Sequence, residues 1–360
     1  MKQKAIIFGV TGQDGSYLAE LLLDKGYYVI GVSRRTSISN TSRIDHLFGK
    51  DGFVLESGDV LDFSSVYNIL WKHHADEVYN LAAQSHVGIS FEQPIVTWDI
   101  TAKGCLNILE GIVKLSKKPR FYQASSSEMF GDAFSIDSNG NKFQNESTNF
   151  NPQSPYAIAK LAAHKTTELY RKTLDLHASC GILFNHESER RGENFVTRKI
   201  SSYMALFKKF LDQAYHLEIE DETLFQNYIK NAAPKLSLGN LSACRDWGHA
   251  KDYVRAMWLM LQQDEPDTYV VATGETHSVK DFVEDSFAYV GITDYDAFIK
   301  MDKSQLRPSE VPYLKGDYSK AKEKLGWTPE ISFEDLVSTM VQYDIARLTN
   351  DKQPTYSVQR

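Results

Sequence analysis

A tyrosine and a lysine four residues apart give the clearest chemical signal in this sequence. Tyr156 and Lys160 would share one face of a helix, and Pro155 is well placed to begin that helix. The pKa of a free tyrosine is about 10, and each unit of lowering requires about 1.4 kcal/mol of preferential stabilisation of the phenolate. A neighbouring ammonium group and a cationic cofactor ring can supply it, which predicts Tyr156 as a base for a substrate hydroxyl. Without a cofactor site nearby, such a pair is usually ordinary packing and solvation.

Hydroxyl groups and a carboxylate form a second reactive stretch, Gln123-Ala-Ser-Ser-Ser-Glu128, after a predicted strand. Open α/β sheets place their ligands at this carboxyl edge. Oxidising an alcohol needs a hydroxyl here but no acid, whereas eliminating water next to a ketone needs a group that removes a carbon-bound proton and protonates the leaving hydroxyl. Glu128 fits both tasks, although its spacing alone fits a surface glutamate equally well. The predicted catalytic residues are Ser126, Glu128, Tyr156 and Lys160.

A glycine-rich turn lies directly between the first predicted strand and the first predicted helix. Its three glycines permit a tight turn and let backbone N–H groups reach a pyrophosphate at the helix N-terminus. A lone glycine triplet is a weak signal, but the strand before it and the helix after it make an ordinary turn the minority interpretation. The predicted dinucleotide loop comprises Gly9, Thr11, Gly12, Gln13, Asp14 and Gly15.

The residues after the second strand indicate which dinucleotide is bound. An acidic residue there would bond the ribose 2′-hydroxyl of NAD, whereas an arginine accepts the 2′-phosphate of NADP. Because the sequence here is Ser33-Arg34-Arg35, NADP is predicted through Arg34, with a solvated basic loop as the alternative. Asp59 and Val60 are placed to meet the adenine. The stretch after the fourth strand, predicted to run beside the pyrophosphate and nicotinamide, contributes Leu81, Ala82, Ala83 and Ser85.

Short β-rich apolar runs alternate with helical stretches from the N-terminus onward. This pattern is typical of βαβ units that feed a parallel sheet with helices on both faces. The first helix is predicted from Ser16 to Lys25 and ends at Gly26. The predicted fold class is α/β, a doubly wound parallel sheet with a smaller, mainly helical lobe. The predicted strands are Ala5–Phe8, Tyr28–Val32, Phe53–Leu55, Glu77–Leu81, Phe121–Ala124, Ala178–Leu183 and Tyr269–Ala272.

The strand and helix pattern loosens after Asn185, which predicts a second lobe. Residues 1–184 and a returning segment, 245–275, are predicted to form the dinucleotide-binding domain. The second lobe is predicted from residues 185–244 and 276–348, and a polar, frayed tail from residues 349–360.

Composition and charge argue against several kinds of partner. The 360 residues carry a formal net charge of −7, so no long-range attraction to nucleic acid or to an anionic membrane is expected. Cys105, Cys180 and Cys244 are widely spaced, which argues against a disulfide framework or a metal site. The first apolar stretch ends at Gly9, too soon for a signal peptide, and no segment is long enough to span a membrane. A cytoplasmic location is therefore expected.

Five long stretches carry a specific resemblance: Gly9–Glu20, Asp76–Val87, Ser154–Lys160, Gly181–Ser188 and Arg245–Val254. They resemble the GDP-mannose 4,6-dehydratases, which are extended short-chain dehydrogenases/reductases with a Rossmann domain. The resemblance covers nearly the whole chain, and runs of this length are more specific than generic dinucleotide-binding features.

The resemblance implies an NADP-dependent lyase acting on GDP-mannose. Tyr156 would take the proton from O4 as a hydride leaves C4, and Glu128 would remove the acidified C5 proton. Water would leave from C6 and the hydride would return there, with no net redox change. The second lobe would bind the nucleotide sugar. Further residues implied are His186 and Arg191 for NADP, and Ser85, Asn185, Lys199, Arg245, Arg307 and Glu310 for the GDP-sugar.

The resemblance also implies a homo-tetramer or homo-dimer, because the loop from Arg34 to Arg43 is similar to a segment that reaches a neighbouring subunit's cofactor in this family.

Three departures from the family pattern bear on which sugar is bound. Ser126 stands where threonine is usual, residues 213–235 look like an insertion, and Gln305 and Glu189 replace a usual aromatic and a common proline.

Four alternatives to GDP-mannose dehydration follow. The same dehydration could act on GDP-manno-heptose or on GDP-N-acetylglucosamine. A 4-epimerase or 4-reductase on this fold is a third possibility, against which Glu128 argues because neither reaction needs a C5 proton shuttle. A non-catalytic Rossmann sensor is the fourth, against which the complete catalytic set argues.

Overall fold

A parallel sheet forms the centre of the protein. The structure is a computed structural model that describes residues 2–306 and 308–350, and residues 1, 307 and 351–360 lie outside the described part. Seven strands of the described residues make up this sheet, in the order β7-β6-β5-β4-β1-β2-β3, with parallel neighbours throughout. In chain order they are β1 (Lys4–Phe8), β2 (Tyr28–Ser33), β3 (Phe53–Ser57), β4 (Glu77–Asn80), β5 (Arg120–Ser126), β6 (Ala178–Leu183) and β7 (Thr268–Val271).

The helices alternate with the strands through the first half of the chain. A π-helical turn, Asp99–Lys103, joins the fourth helix to the fifth. In chain order they are α1 (Gln13–Asp24), α2 (Phe63–His73), α3 (Val87–Glu92), α4 (Pro94–Trp98), α5 (Gly104–Val113), α6 (Pro155–Thr173), α7 (Val196–Tyr215), α8 (Glu222–Ala232), α9 (Ala250–Gln262), α10 (Val279–Tyr289), α11 (Ser319–Leu325) and α12 (Phe333–Asn350).

Helices cover both faces of the sheet, so its strands are apolar on both sides. On one face Ile7 and Tyr122 are buried in one core with residues of α1, α9 and α11. On the other face Ile6 and Phe121 are buried in a second core with residues of α2, α5 and α6. Successive strand side chains point to opposite faces, which is why neighbouring residues enter different cores. The predicted doubly wound α/β fold is confirmed.

The strand order reverses at β1, which pairs with β2 on one side and with β4 on the other. Open α/β sheets bind their ligands in the crevice outside the carboxyl ends of the strands at such a reversal. The loops after β1, β4 and β5 therefore lie where the chemistry is expected.

The observed boundaries differ from the predicted ones mainly at strand ends. The strand predicted at 121–124 continues through Ser125 and Ser126, because these residues pair with Ile182 and Leu183 of β6. Polar residues at a strand end give no apolar signal, so only the pairing partner reveals them. Helix α1 begins at Gln13 rather than Ser16, because the apolar periodicity starts later than the helical backbone.

Two compact units divide the chain. Of the described residues, the first comprises 2–186, 245–276 and 308–331, and the second comprises 187–244, 277–306 and 332–350. Within the second unit, α7 packs against α12, and the Arg198 guanidinium pairs with the Asp344 carboxylate at 2.7 Å, both buried. A buried ion pair of this kind is costly to break, because removing one partner leaves the other charge unpaired.

The segment 213–235 contains the additional helix α8 in the second unit. Asp221 caps its N-terminus, and Phe225 and Ile229 form its buried face. Phe225 stacks near Tyr215, with ring centroids 5.1 Å apart, at the end of α7. The segment is thus an amphipathic helix packed on its own unit.

None of the helices in the described ranges is both long enough and apolar enough to cross a bilayer.

Asp246 in the first unit is a fully buried carboxylate that ties two loops together. One oxygen accepts hydrogen bonds from the Thr273 amide and hydroxyl at 2.7 and 2.8 Å, and the other accepts from the amides of Gly274 and Gly316 at 3.0 and 3.1 Å. Burial raises the pKa of Asp246 to about 6, although these four donors oppose the rise. The group is therefore ionised at neutral pH and accepts all four hydrogen bonds.

Replacing Asp246 with asparagine should destabilise the protein by about 3 kcal/mol at neutral pH, because an amide NH2 would face two buried backbone N–H groups. Urea denaturation of Asp246→Asn and the native protein measures this loss. Asp264→Asn, at an exposed position, is the matched control and should leave the unfolding midpoint unchanged. An Asp246→Asn variant as stable as the native protein would contradict the assigned role.

Candidate active site

The loop after β1 can only be built from glycine at two of its positions. Gly9 has a φ of 88°, and a Cβ there would lie 3.0 Å from the Ala82 nitrogen. A Cβ on Gly15 would lie 2.3 Å from the Gly9 carbonyl oxygen. Gly12 is the N-cap of α1 and is exposed. The loop therefore packs against the end of β4, and the first N–H groups of α1 have no N-cap side chain over them, as anion binding requires.

Three predicted cofactor residues meet at this loop. The Gln13 side-chain amide donates to the His186 backbone carbonyl oxygen at 3.1 Å and to the Asp14 carboxylate at 3.0 Å. The His186 ring is hydrogen-bonded through Nε2 to Asp14 at 2.8 Å and through Nδ1 to the Phe184 carbonyl oxygen at 2.7 Å. It also stacks on Tyr253 with centroids 4.5 Å apart. His186, distant in sequence, is thus held against the loop.

The predicted adenine and phosphate residues follow β2 and β3. Arg34 is exposed, directly after the last residue of β2. Val60 is buried and its carbonyl oxygen accepts a hydrogen bond from the Asn107 side chain at 2.8 Å. The Asp59 carboxylate accepts from the Leu61 amide at 2.9 Å, which fixes the turn. Thr11 lies in the glycine loop, where its carbonyl oxygen accepts from Arg43 at 3.4 Å.

A buried amide pair organises the stretch after β4. Asn80 donates to the Gln123 side chain at 2.8 Å, and its own oxygen accepts from the Ala82 amide at 3.3 Å. The Leu81 amide donates to the Phe8 carbonyl oxygen at 3.0 Å, next to the glycine loop. The predicted residues Leu81, Ala82 and Ala83 are half-buried here, and Ser85 is exposed.

Tyr156 and Lys160 lie on the buried face of α6. The Lys160 ammonium is 5.8 Å from the centroid of the Tyr156 ring and donates a hydrogen bond to the Ala124 carbonyl oxygen at 2.8 Å. Burial lowers the pKa of Lys160 to about 8, with Cys105 and Asp14 opposing it. At neutral pH the ammonium is therefore charged but close to its titration range, as suits a group that supports proton transfer.

Ser126 ends β5, and Glu128 lies in the single 3-10 turn that follows it, Ser127–Phe130. The Ser126 hydroxyl oxygen accepts a hydrogen bond from the Glu128 amide at 3.3 Å. Ser126, Glu128 and Tyr156 are each only 8% exposed. A hydroxyl, a carboxylate and a phenol are therefore largely shielded from water. They come from the end of β5, the turn after it and helix α6.

The residues predicted to bind the GDP-sugar come from both units. In the first unit, Arg245 donates to the Glu310 carboxylate at 2.8 Å and to the Val311 carbonyl oxygen at 2.7 Å. Asn185 is half-buried, immediately after Phe184. Arg307 lies outside the described residues.

In the second unit, Lys199 donates to the Gln305 side chain at 2.7 Å, and burial lowers the pKa of Lys199. Arg191, which was predicted to bind the cofactor, pairs with Glu187 at 3.0 Å and lies 3.7 Å over the Phe195 ring. Both cations are thus held in defined positions within this unit.

Sequence reasoning missed His164 and the buried carboxylate of Asp246. His164 is 1% exposed on α6 and bonded to the Ser125 hydroxyl at 2.8 Å. The available signal was its spacing, four residues after Lys160 and therefore on the same helical face.

The residues present fit a dinucleotide cofactor. Backbone atoms leave no room for a side chain at Gly9 or Gly15, so the loop turns tightly, and α1 begins after it with an exposed glycine that has no side chain to cover an N–H group. A buried ammonium, Lys160, and the exposed Arg34 supply cationic groups along the same sheet edge.

Comparison with known proteins gives a consistent family. The family model described as GDP-mannose 4,6 dehydratase matches residues 6–223 and 220–340, and the two matches meet where α8 begins. GDP-mannose 4,6 dehydratase 1 of Arabidopsis thaliana is 48% identical, over 97% of this chain and 91% of the relative. The GDP-mannose 4,6-dehydratase of Vibrio cholerae is 44% identical over 96% and 94%. The human GDP-mannose 4,6 dehydratase is 45% identical over 95% and 91%.

Solved structures share the fold at lower identity. UDP-glucose 4-epimerase of Thermotoga maritima, with UDP-glucose, has a TM-score of 0.77 at 22% identity, covering 96% of this chain and 100% of that one. The dTDP-glucose 4,6-dehydratase of Bacillus anthracis, with NAD, has 0.76 at 19%, covering 95% and 96%. RMD of Pseudomonas aeruginosa, with NADPH, has 0.73 at 20%, covering 96% and 100%. At these identities the likeness concerns the fold alone. The family model and the relatives at 44–48% identity, in contrast, cover most of the chain. The protein therefore belongs to the GDP-mannose 4,6-dehydratase family.

Proposed function

We propose that the protein is an NADP-dependent hydro-lyase that converts GDP-mannose into GDP-4-keto-6-deoxymannose and water. The observation that carries the proposal is the 2.8 Å hydrogen bond from Lys160 to the carbonyl oxygen of Ala124. This bond ties the helix of the Tyr156–Lys160 pair to the strand that ends in Ser126, two residues before Glu128. The names of relatives at 44–48% identity support GDP-mannose as the substrate.

The first step oxidises C4 of the sugar. Tyr156 removes the proton from the C4 hydroxyl, and the buried Lys160 ammonium stabilises the resulting phenolate. The Ser126 hydroxyl oxygen accepts from the Glu128 amide, so its own O–H is oriented to donate elsewhere, and we assign it to the C4 oxygen. A nicotinamide held beside the glycine loop of Gly9 to Gly15 would supply the redox chemistry, accepting a hydride from C4 and returning it to C6, so that no net oxidation would result.

The second step eliminates water. The new C4 carbonyl acidifies the proton on C5, and Glu128 removes it as a general base. The same carboxyl group protonates the C6 hydroxyl as the C6–O bond breaks, so one water leaves. C5 then regains a proton, which balances the one that Tyr156 took from the C4 hydroxyl, and the product differs from the substrate by one water molecule.

NADP rather than NAD is the cofactor that the sequence at the end of β2 supports. Arg34 and Arg35 directly follow Ser33, the last residue of β2, and both are exposed. Charge-assisted hydrogen bonds to a 2′-phosphate are worth about 1.5–3 kcal/mol each, enough for tenfold discrimination or more.

The cationic and amide side chains are assigned to phosphate groups. Arginine and amide donors suit two phosphates that carry several acceptor oxygens. We assign His186 and Arg191 to NADP, and Ser85, Asn185, Lys199, Arg245 and Arg307 to the GDP-sugar, with Glu310 orienting Arg245 through their 2.8 Å ion pair.

The active form is proposed to be a homo-tetramer or homo-dimer in the cytoplasm. Helices α4 and α6 pack together and leave apolar side chains exposed, among them Ile95 at 72% and Leu169 at 55%. A group of exposed apolar residues is typical of an interaction surface. The cysteines Cys105, Cys180 and Cys244 are free, as expected in a reducing compartment.

Incubating the purified protein with GDP-mannose, without added cofactor, tests the proposal. Mass spectrometry should show loss of one water and a new ketone, and denaturing the protein should release NADP. If GDP-mannose is untouched while GDP-manno-heptose or GDP-N-acetylglucosamine is dehydrated, the chemistry stands and the assigned sugar is wrong. If no GDP-sugar reacts, the protein is not a dehydratase.

The variant Glu128→Gln should lose elimination by about 10²–10⁴-fold, because its amide can neither take the C5 proton nor protonate the leaving group. Oxidation at C4 uses Tyr156, Lys160 and Ser126, which this variant leaves in place, so absorbance of the reduced nicotinamide should build up in a single turnover. Glu265→Gln, at an exposed position, should behave as the native protein does. Unchanged turnover in Glu128→Gln would rule out the assigned role.

The variant Arg34→Ser should bind NADP at least about tenfold more weakly and leave NAD affinity unchanged, because only NADP offers a 2′-phosphate. Calorimetric titration of cofactor-free protein with each dinucleotide measures the difference. Lys50→Ser removes an exposed cation outside the loop and serves as the control. Equal weakening for both dinucleotides, or none, would contradict the NADP assignment.

A further inference from the structure

A buried histidine lies behind the catalytic turn and takes no part in the reaction described above. His164 follows Tyr156 and Lys160 at steps of four residues on α6, so the three side chains share one helical face. It is 1% exposed, in a fold where most histidines remain in reach of water. A buried imidazole needs hydrogen-bond partners for both nitrogens, and here both have them.

The partners of His164 connect the catalytic strand to the far side of α6. Its Nδ1 atom is 2.8 Å from the Ser125 hydroxyl, and its Nε2 atom is 3.4 Å from the Glu168 carboxylate. The Phe150 ring meets the imidazole edge-on at a centroid distance of 5.4 Å. The ring is therefore fixed in orientation as well as in place.

The charged and titratable groups around His164 come from its own helix and from β6. Glu168 is held by Lys165 at 2.8 Å and lies 3.7 Å from Arg171, while Cys180 faces the imidazole from β6. Burial lowers the pKa of His164, but the Cys180 and Glu168 side chains raise it more, to about 9. The Nδ1 atom of the imidazole and the Ser125 hydroxyl are hydrogen-bonded at 2.8 Å.

Ser125 is the residue that makes this contact relevant to catalysis. It lies between Ala124, whose carbonyl oxygen accepts from Lys160 at 2.8 Å, and Ser126, which holds the amide of Glu128. Two successive residues of β5 are thus tied to two successive turns of α6. One bond comes from Lys160 and the other from His164.

We propose that His164 is a positioning residue for the dehydration: its hydrogen bond to Ser125 sets the distance between the Ser126–Glu128 turn and the Tyr156–Lys160 face of α6. This inference rests on the proposed function. C4 oxidation depends chiefly on Tyr156 and Lys160, which share α6 with His164, and Lys160 keeps its own hydrogen bond to Ala124. Ser126 assists this step only by donating a hydrogen bond to the C4 oxygen. Elimination requires Glu128, which lies beyond Ser125 on the other element. Loosening the tie therefore slows elimination more than oxidation, since reactive groups misplaced by about 1 Å can lose up to a hundredfold in rate.

Two substitutions at position 164 separate the two contacts of the imidazole. The side-chain amide of asparagine takes the place of Nδ1, and that of glutamine takes the place of Nε2. His164→Asn keeps the bond to Ser125 and loses Glu168, whereas His164→Gln does the reverse. Ser125→Ala removes the bond from the other side. His177→Gln is the control, because His177 is a hydrogen-bonded histidine of the first unit at the amino end of β6, away from the carboxyl edge.

Each holoprotein is assayed for kcat and KM with GDP-mannose, and for reduced-nicotinamide absorbance in a single turnover. We expect His164→Gln and Ser125→Ala to lower kcat about tenfold at nearly unchanged KM and to accumulate reduced cofactor. His164→Asn and His177→Gln should stay within about twofold of the native protein, as loss of one outlying hydrogen bond predicts. Circular dichroism and the released NADP establish that each variant is folded and loaded.

Two results would overturn the inference. One is native kcat and no accumulation in folded His164→Gln and Ser125→Ala. The other is an equal loss in His164→Asn and His164→Gln without accumulation, which would show a merely structural histidine. Native protein that fails to dehydrate any GDP-sugar would instead refute the proposed function, so the two failures are distinguishable.

Discussion

The hydrogen bond between the Lys160 ammonium and the Ala124 carbonyl oxygen is the constraint on which the site depends. It fixes helix α6 to strand β5 two residues before the strand ends at Ser126. It also gives the buried Lys160 ammonium a hydrogen-bond acceptor. The cost of that burial appears as the lowered pKa of Lys160, about 8. In the proposed reaction, this buried ammonium would stabilise the phenolate form of Tyr156.

The conformation of the glycine loop after β1 is constrained by steric contacts. Side chains at Gly9 or Gly15 would collide with backbone atoms, so the loop can lie against β4 only as it is. This close approach leaves the start of α1 open to an anion, at the reversal of strand order where such sheets bind ligands. The proposed cofactor loop and the proposed catalytic turn thus both follow the carboxyl ends of strands of one sheet.

The same architecture serves proteins with different reactions. Structures with TM-scores of 0.76 and 0.77 include a dTDP-glucose 4,6-dehydratase and a UDP-glucose 4-epimerase, at 19% and 22% identity. Fold alone therefore does not choose between elimination and epimerisation. A carboxylate after β5 does bear on that choice, because only elimination needs a group to move the C5 proton. Helix α8 lies in the second unit, where Phe225 and Ile229 form its buried face.

The sequence by itself determined the fold class, the strands of the sheet and the types of reactive residue. Local signals sufficed there: alternating elements, glycines between a strand and a helix, and a tyrosine and lysine at helical spacing. Only the tertiary structure decided that β5 extends through Ser126, that His164 reaches Ser125 and that Asp246 receives four donors. These features join residues far apart in the chain, 39 positions in the case of Ser125 and His164. A buried polar group is defined by the partner that satisfies it, and no local pattern names that partner.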